Sequence, residues 1–397
     1  MLSQPAHDDS SRSVESSRSY YLFITDDSSS PPSTSTTTTT HSMNTRSISC
    51  PLFTNNTFPE NHFRNLWSDW QRVLKEFDGR GTHEKAWIFQ IDCAWIDENS
   101  FHSDISWATF TDDGIIVHSQ LERRMVPTIS SSFRVRNFDV IGNPGYSVYP
   151  YANGHMPVEI LPRLVRMWNE LPPEIPLIWP RNVVSERYLK IMLELRVISG
   201  NRTLVDSVIG TVIRAKKVFI YHSDTDFYPN MNIMEYLVLN RKIVAGMARM
   251  FGEVSLTRTS KIITLIHRNA RIRNVKDHPL LLEHLRQSFP QHVLRKFIIP
   301  DTNPSEYLKQ VARLFYESDI VISPHGASLS NIIFSRPGSG IIEIGWGSLP
   351  MDYMCFARNM KLKYTLVCAD GHHQSDLVAP FNDVSAAVRL ILSELYK

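Results

Sequence analysis

From Lys261 to the end of the chain, short apolar runs alternate with amphipathic ones, and this rhythm constrains the fold more than any other feature. The apolar runs are "KIITLI" (261–266), "KFIIP" (296–300), "DIVIS" (319–323), "GIIEI" (340–344) and "KYTLVC" (363–368). Each is too short for a stable helix, and most lack the polar alternation of a half-exposed strand, so they read as strands covered on both faces. Between them lie the helical patterns "HPLLLEHLRQSF", "SEYLKQVARLFYES", a short helix from Ala327, "MDYMCFARNM" and "DVSAAVRLILSELY". The second helix carries its own start signal, with Asn303 as N-cap, Pro304 at the first helical position and Glu306 three residues after the cap. Strands joined through crossover helices run parallel, so residues 251–397 are expected to form a doubly wound, Rossmann-like lobe.

Upstream, Tyr151 to Met250 repeats the alternation with helix "MPVEILPRLVRMW", strand "EIPLIWP", helix "SERYLKIMLELRV", strand "KKVFIY" and the long helix "NIMEYLVLNRKIVAGMARMF". This predicts a parallel sheet in a second lobe, residues 51–250. Its first part holds strand-like "KAWIFQID" and "GIIVHS", but no readable topology. The expectation is an α/β protein of two Rossmann-like lobes with a cleft between them. Residues 1–50, with "SSSPPSTSTTTTT" at 28–40, contain too little apolar material to offset the cost of ordering the backbone. They read as a disordered tail or stem.

Of the 397 residues, 42% are hydrophobic and 21% charged, which are globular values. The formal net charge of +2 gives no electrostatic case for nucleic acid. Four cysteines, Cys50, Cys93, Cys355 and Cys368, have no zinc-site spacing and leave two disulfides or none open. The apolar burst "YYLFI" at 20–24 is too short for a signal or a membrane span. The chain is therefore either cytosolic or has an anchor outside this sequence. Two glycosylation triplets, at Asn55 and Asn201, fit a secretory chain weakly.

In a doubly wound sheet the ligand sits beyond the carboxyl ends of the strands. Those positions hold His267, Arg268 and Arg271 after the first strand, Pro324, His325 and Gly326 after the third, and Glu343 at the end of the fourth. In "PHGASLSN" (324–331) a glycine turn leads into a helix starting at Ala327, whose free N–H groups and dipole favour an anion. The set suits a nucleoside diphosphate: guanidinium groups and helix terminus for the phosphates, and the Glu343 carboxylate for ribose hydroxyls. Neither G-x-G-x-x-G nor a Walker sequence occurs, which argues against dinucleotides and triphosphate hydrolysis.

The blocks "NGHMPVEILPRL" (153–164), "ITLIHRNARIRNV" (263–275) and "PHGASLSNIIFSRPGSGIIEI" (324–344) resemble, in order, the recurrent blocks of glycosyltransferase family 61. The resemblance extends over residues 85–397. It implies a GT-B fold, a UDP-sugar donor bound mainly by the C-terminal lobe, a glycan or protein hydroxyl as acceptor, inversion at the anomeric carbon, no obligatory metal, and residence in the Golgi or endoplasmic reticulum. Arg268 and Arg271 fall on the family's paired arginine positions, and His325, Gly326, Ala327, Asn331 and Glu343 fall in its glycine block. Ser335, Arg336 and Pro337 depart from the family's usual residues and bear on the donor pocket.

Transfer needs a base for the acceptor hydroxyl. His155 and Glu159 are candidates, four apart and on one face if the helix includes both. Their alternative readings are an ordinary loop residue and a carboxylate favouring a helix dipole. Two other function classes stay open. Asp224 and Asp226, just after a strand, suit Mg²⁺ or Mn²⁺ in a GT-A-type transferase. A non-catalytic nucleotide- or glycan-binding protein could use the same fold. His372 and His373 in "DGHHQSD" read as turn residues without ligand-spaced partners.

Overall fold

The computed structural model describes residues 86–97, 108–111, 116–119, 134–144, 154–179, 181–206, 208, 211–223, 233–255, 259–268, 270–298, 304–346 and 352–396. The Ser/Thr-rich stretch 1–50, Asn55, Asn303, Asp224 and Asp226 lie outside them. The first sheet comprises β1 (Ala86–Asp97), β2 (Ala108–Thr111), β3 (Ile116–Ser119), β4 (Arg134–Asn143), β5 (Leu177–Trp179), β6 (Leu204–Asp206) and β7 (Thr211–Ser223), in the order β3-β2-β1-β7-β4-β5-β6. β7, β4, β5 and β6 run parallel, whereas β1 pairs antiparallel with β7 from Ala86↔Ser223 to Asp97↔Val212. β2 and β3 are also antiparallel. The sheet is thus mixed: the strands within 151–250 run parallel as expected, and the antiparallel ones, β1 to β3, come from the part whose topology could not be read from the sequence. Residues 98–107 and 112–115 are too few for the dozen or so that a crossover connection needs, so β1, β2 and β3 fold as a meander.

A π-helical turn, Met156–Ile160, feeds α1 (Leu161–Glu170), followed by α2 (Val183–Glu194) and α3 (Ile233–Phe251). A capping box starts α2: the Asn182 side chain accepts from the Val184 and Ser185 amides, and Ser185 Oγ accepts from the Asn182 amide.

The second sheet is wholly parallel: β8 (Ile262–His267), β9 (Val293–Ile298), β10 (Ile320–Pro324), β11 (Gly340–Gly345) and β12 (Lys363–Cys368), in the order β12-β11-β10-β8-β9. Its helices are α4 (His278–Ser288), α5 (Pro304–Glu317), α6 (Asp352–Asn359) and α7 (Phe381–Leu395). The strand order reverses between β8 and β10, which defines the topological switch point. Every residue of β10 and β11 is buried, as their unbroken apolar runs require.

Alternate residues of this sheet face two cores. Ile320, Ile322, Ile342 and Ile344 pack with Leu281, Leu285, Val388 and Ile391 from α4 and α7. Val321 and Ile341 instead join a core that continues into the first sheet through Met156, Leu239, Ile243 and Phe315. Polar ties reinforce this junction. Asn240 of α3, fully buried, donates through Nδ2 to the carbonyls of Ile333 at 2.8 Å and Ser335 at 3.0 Å. The Tyr188 hydroxyl of α2 donates to Asn331 Oδ1 at 3.2 Å.

The helix expected from Ala327 is a 3₁₀ helix, Ala327–Phe334, whose first turn closes from the Leu329 amide to the Gly326 carbonyl at 2.9 Å. With about 2.0 Å rise per residue instead of 1.5, the tighter helix carries a short segment further along the sheet. Arg336 is buried and donates to the carbonyls of Tyr316 at 2.6 Å and Ser318 at 3.1 Å and to Asp319 Oδ1 at 3.0 Å. Asp319 Oδ2 in turn accepts from the Ile262 amide at 2.8 Å. That departure from the family pattern therefore sits at the amino ends of β8 and β10, opposite their carboxyl ends at the switch point. No helix among the described residues is long and apolar enough to cross a membrane.

Candidate functional site

The carboxyl ends of β8 and β10 meet at the switch point. Arg268, next after β8, donates through Nη1 to the carbonyl of His325, next after β10, at 2.9 Å. The following residue, Gly326, has φ +147°, and a Cβ built there would fall 1.8 Å from that same Nη1. A glycine in such a turn leaves space that a ligand could fill. The structure shows that the Arg268 guanidinium takes the space. Tyr353 of α6 donates its hydroxyl to the Gly326 carbonyl at 2.8 Å and closes the turn from the other side.

His325 is nearly buried, and its Nδ1 lies 2.5 Å from Glu343 Oε1. The second Glu343 oxygen accepts from the Tyr364 hydroxyl of β12. Glu343 is fully buried and both its oxygens are engaged, so it stands beneath His325 instead of facing outward to a ribose. Two aromatic edges fix the imidazole: Trp346 at 5.1 Å with an interplanar angle of 80°, and Tyr353 at 5.5 Å and 62°. Trp346 also meets the His373 ring edge-on at 5.8 Å.

The cluster is cationic. Burial, then the nearby Arg273 charge, pull Arg268 below the ordinary guanidinium range. Burial does the same to Arg273, and it and the charges of Arg273, His325 and Arg268 depress His373. Neither Arg268 nor Arg273 has a carboxylate partner among the described residues, and Arg273 Nε is closed to solvent without a hydrogen bond. Arg273 takes φ +61° and its amide donates to the Ser375 carbonyl at 3.0 Å, which ties its loop to the segment after β12.

The sequence candidates thus separate. Arg268, His325, Gly326, Ala327 and Glu343 come together. A Cβ at Gly154 would lie 3.3 Å from both Cα and Cβ of Ala327, so the backbone leading into His155 runs against the start of the 3₁₀ helix. Glu159 lies within the π-helical turn. Arg271 is exposed, and it is Arg273 that lies beside Arg268. Asn331 is committed to Tyr188 and to the Ser328 carbonyl, at 3.0 Å. His373 was missed, although the rule that picked the ends of the other strands, applied also to β12, reaches its loop. Among the described residues no group of three or more His, Cys, Asp or Glu could hold a metal ion. Among the described residues Cys368 has no disulfide partner.

The sequence model of the family described as glycosyltransferase 61 matches residues 153–342. Over those residues the chain belongs to that family. Its match begins beside Gly154 and ends in β11, so it contains both backbones that meet at Ala327 and the Arg268 to His325 link. Membership in family 61 implies glycosyl transfer, with a sugar donor and an acceptor as substrates. A comparison with curated proteins gives no match.

Proposed function

We propose that this family 61 chain moves a sugar, with inversion, from a UDP-sugar to a hydroxyl of a glycan or protein, using a GT-B-like arrangement with the donor at the carboxyl ends of β8 and β10. The observation that carries the reading is the Arg268 and Arg273 pair: two partly buried guanidinium groups, close enough to repel, with no carboxylate partner among the described residues. Holding two such charges together without a counterion is unfavourable, and a diphosphate relieves it. The same charges stabilise the departing nucleotide as negative charge grows on its oxygen. They supply what a divalent cation supplies elsewhere, so the reaction is expected to survive EDTA.

His373 and Trp346 extend the wall of this site toward the loop after β12. His155 and Glu159, carried toward it by the Gly154 contact, stand on the acceptor side. The family relationship supports a lumenal location, which protease protection of the full chain in intact microsomes would check.

The deciding experiment is thermal denaturation with UDP, GDP and CDP. A ligand bound only to the native state raises the midpoint as its concentration exceeds Kd. UDP should do so in the wild type and far less in Arg273→Ala. No shift with any of the three at millimolar nucleotide would end the nucleotide-sugar reading.

A further inference from the structure

Beside Arg268, His325 would suit a hydrogen-bond donor to a phosphate oxygen. Its surroundings favour a different use of the ring. The Tyr364 hydroxyl donates to one Glu343 oxygen, and Nδ1 of His325 lies 2.5 Å from the other. A carboxylate oxygen is an acceptor, so Nδ1 must carry a proton at that separation. In the neutral imidazole the lone pair is then on Nε2. Nε2 has no protein partner among the described residues and is not sealed from solvent, while the side chain as a whole is 11% exposed. Trp346 and Tyr353 hold the ring plane from two sides. Arg268, Arg273 and His373 already provide donors for a diphosphate. What the cluster otherwise lacks is an acceptor, since both oxygens of Glu343 are taken.

We propose that His325 is the general base of the transfer reaction and that Glu343 and Tyr364 are positioning residues which fix its Nδ1–H tautomer and aim Nε2 at the acceptor hydroxyl. The inference rests on the nucleotide-sugar reading above. In the step, Nε2 takes the hydroxyl proton as the acceptor oxygen bonds to the anomeric carbon. The bond from that carbon to the diphosphate oxygen breaks, and its electron pair leaves with UDP beside Arg268 and Arg273. Nδ1–H stays on Glu343 throughout, and Nε2 later releases its proton to water. The arrangement places the base on the donor-binding half of the chain, ahead of His155 and Glu159.

The test measures UDP affinity and the rate of UDP release from a panel of UDP-sugars, with water and with hydroxyl acceptors, for the full chain and for His325→Ala, Glu343→Gln and Tyr364→Phe. The expected result for His325→Ala is wild-type UDP affinity with turnover down by about 10²- to 10⁴-fold, partly restored by added imidazole. Glu343→Gln admits the wrong tautomer and should lower turnover by a smaller but still large factor, with UDP affinity kept. Tyr364→Phe removes only one hydroxyl; it should fold as the wild type does, and it keeps the proposal open to refutation if Glu343→Gln does not fold. Its turnover should fall by roughly 3- to 30-fold. A His325→Ala protein that loses UDP affinity in step with turnover, and that imidazole does not rescue, would show a phosphate ligand and overturn the proposal. So would unchanged turnover in both His325→Ala and Tyr364→Phe. A wild type that binds no nucleotide would instead sink the parent reading, and this one with it.

Discussion

Arg268 and Gly326 interlock: the guanidinium Nη1 occupies the place where any side chain at 326 would begin, 1.8 Å from an ideal Cβ, while the same nitrogen bonds the carbonyl of residue 325. Gly326→Ala must therefore displace Arg268 and also strain a backbone at φ +147°. The variant is expected to lose about 1–3 kcal/mol of stability and at least about 10-fold in UDP affinity. In an Arg268→Ala background the same change should cost almost nothing further in affinity, a non-additivity that a double-mutant cycle by titration calorimetry would register.

Arg273 and Arg271 are two residues apart and differ in environment. Arg273 is half-buried beside Arg268, and Arg271 is exposed. Removing a charged hydrogen-bonding group from the diphosphate is worth about 1.5–3 kcal/mol. Arg273→Ala should thus raise the UDP dissociation constant by roughly 10- to 100-fold. Arg271→Ala should change it by less than about 3-fold, and equal losses in the two variants would contradict the assignment.

The start of α4 carries a pH dependence. Burial, with the His267 and Lys296 charges adding to it, holds His278 down to about 4 against an ordinary 6.5. Its ring stands edge-on to His267 at 4.4 Å. Because the folded value lies below the unfolded one, the unfolded chain binds more protons between them. This contribution is complete above about pH 6.5 and is lost as pH falls toward 4, by about 2 kcal/mol at pH 5. Urea midpoints at pH 7 and pH 5 should separate widely for the wild type and much less for His278→Leu.

Arg336 offers a purely structural control. Arg336→Met leaves Asp319 buried without its cation, which typically costs about 3–5 kcal/mol. Protein that still folds at low temperature should bind UDP with wild-type affinity, since the pair lies at the opposite ends of β8 and β10. A selective loss of UDP affinity would place Arg336 in the donor site after all.

The second sheet was legible because its strands are unbroken apolar runs with punctuated helices between them, and even so β9 lies three residues earlier at its start than "KFIIP" suggested, at Val293. β4 was not read, because "RVRNFDVIGN" spreads Arg134, Arg136, Asn137 and Asp139 through the strand; pairing with β7 from Arg134↔Thr211 to Asn143↔Ile220 makes it one. β6 has only three residues, too few for a period to show. Within the candidate site, Arg273 and not Arg271 lies beside Arg268, and the left-handed turn at Arg273 that brings it there has no sequence signature. Glu343 was found but turned the wrong way. A lone carboxylate in an apolar strand either faces a ligand or has a buried partner, and its partner Tyr364 is 21 residues further on.

The apolar core shared by the two sheets, with Asn240 and Tyr188 bonded across it, has a consequence for how substrates enter. A hinge swing of one half against the other would expose Met156, Ile243 and Phe315 to water and strand buried amides and carbonyls, so the domain closure many two-lobed enzymes use is costly here. The proposed anion cradle between β8 and β10 is accordingly preformed, and a donor bound there would carry little ordering cost. Adaptation to different acceptors then falls to the loops that leave the strand ends, which can vary in length and sequence without repacking the scaffold that holds Arg268, Arg273 and His325 in place.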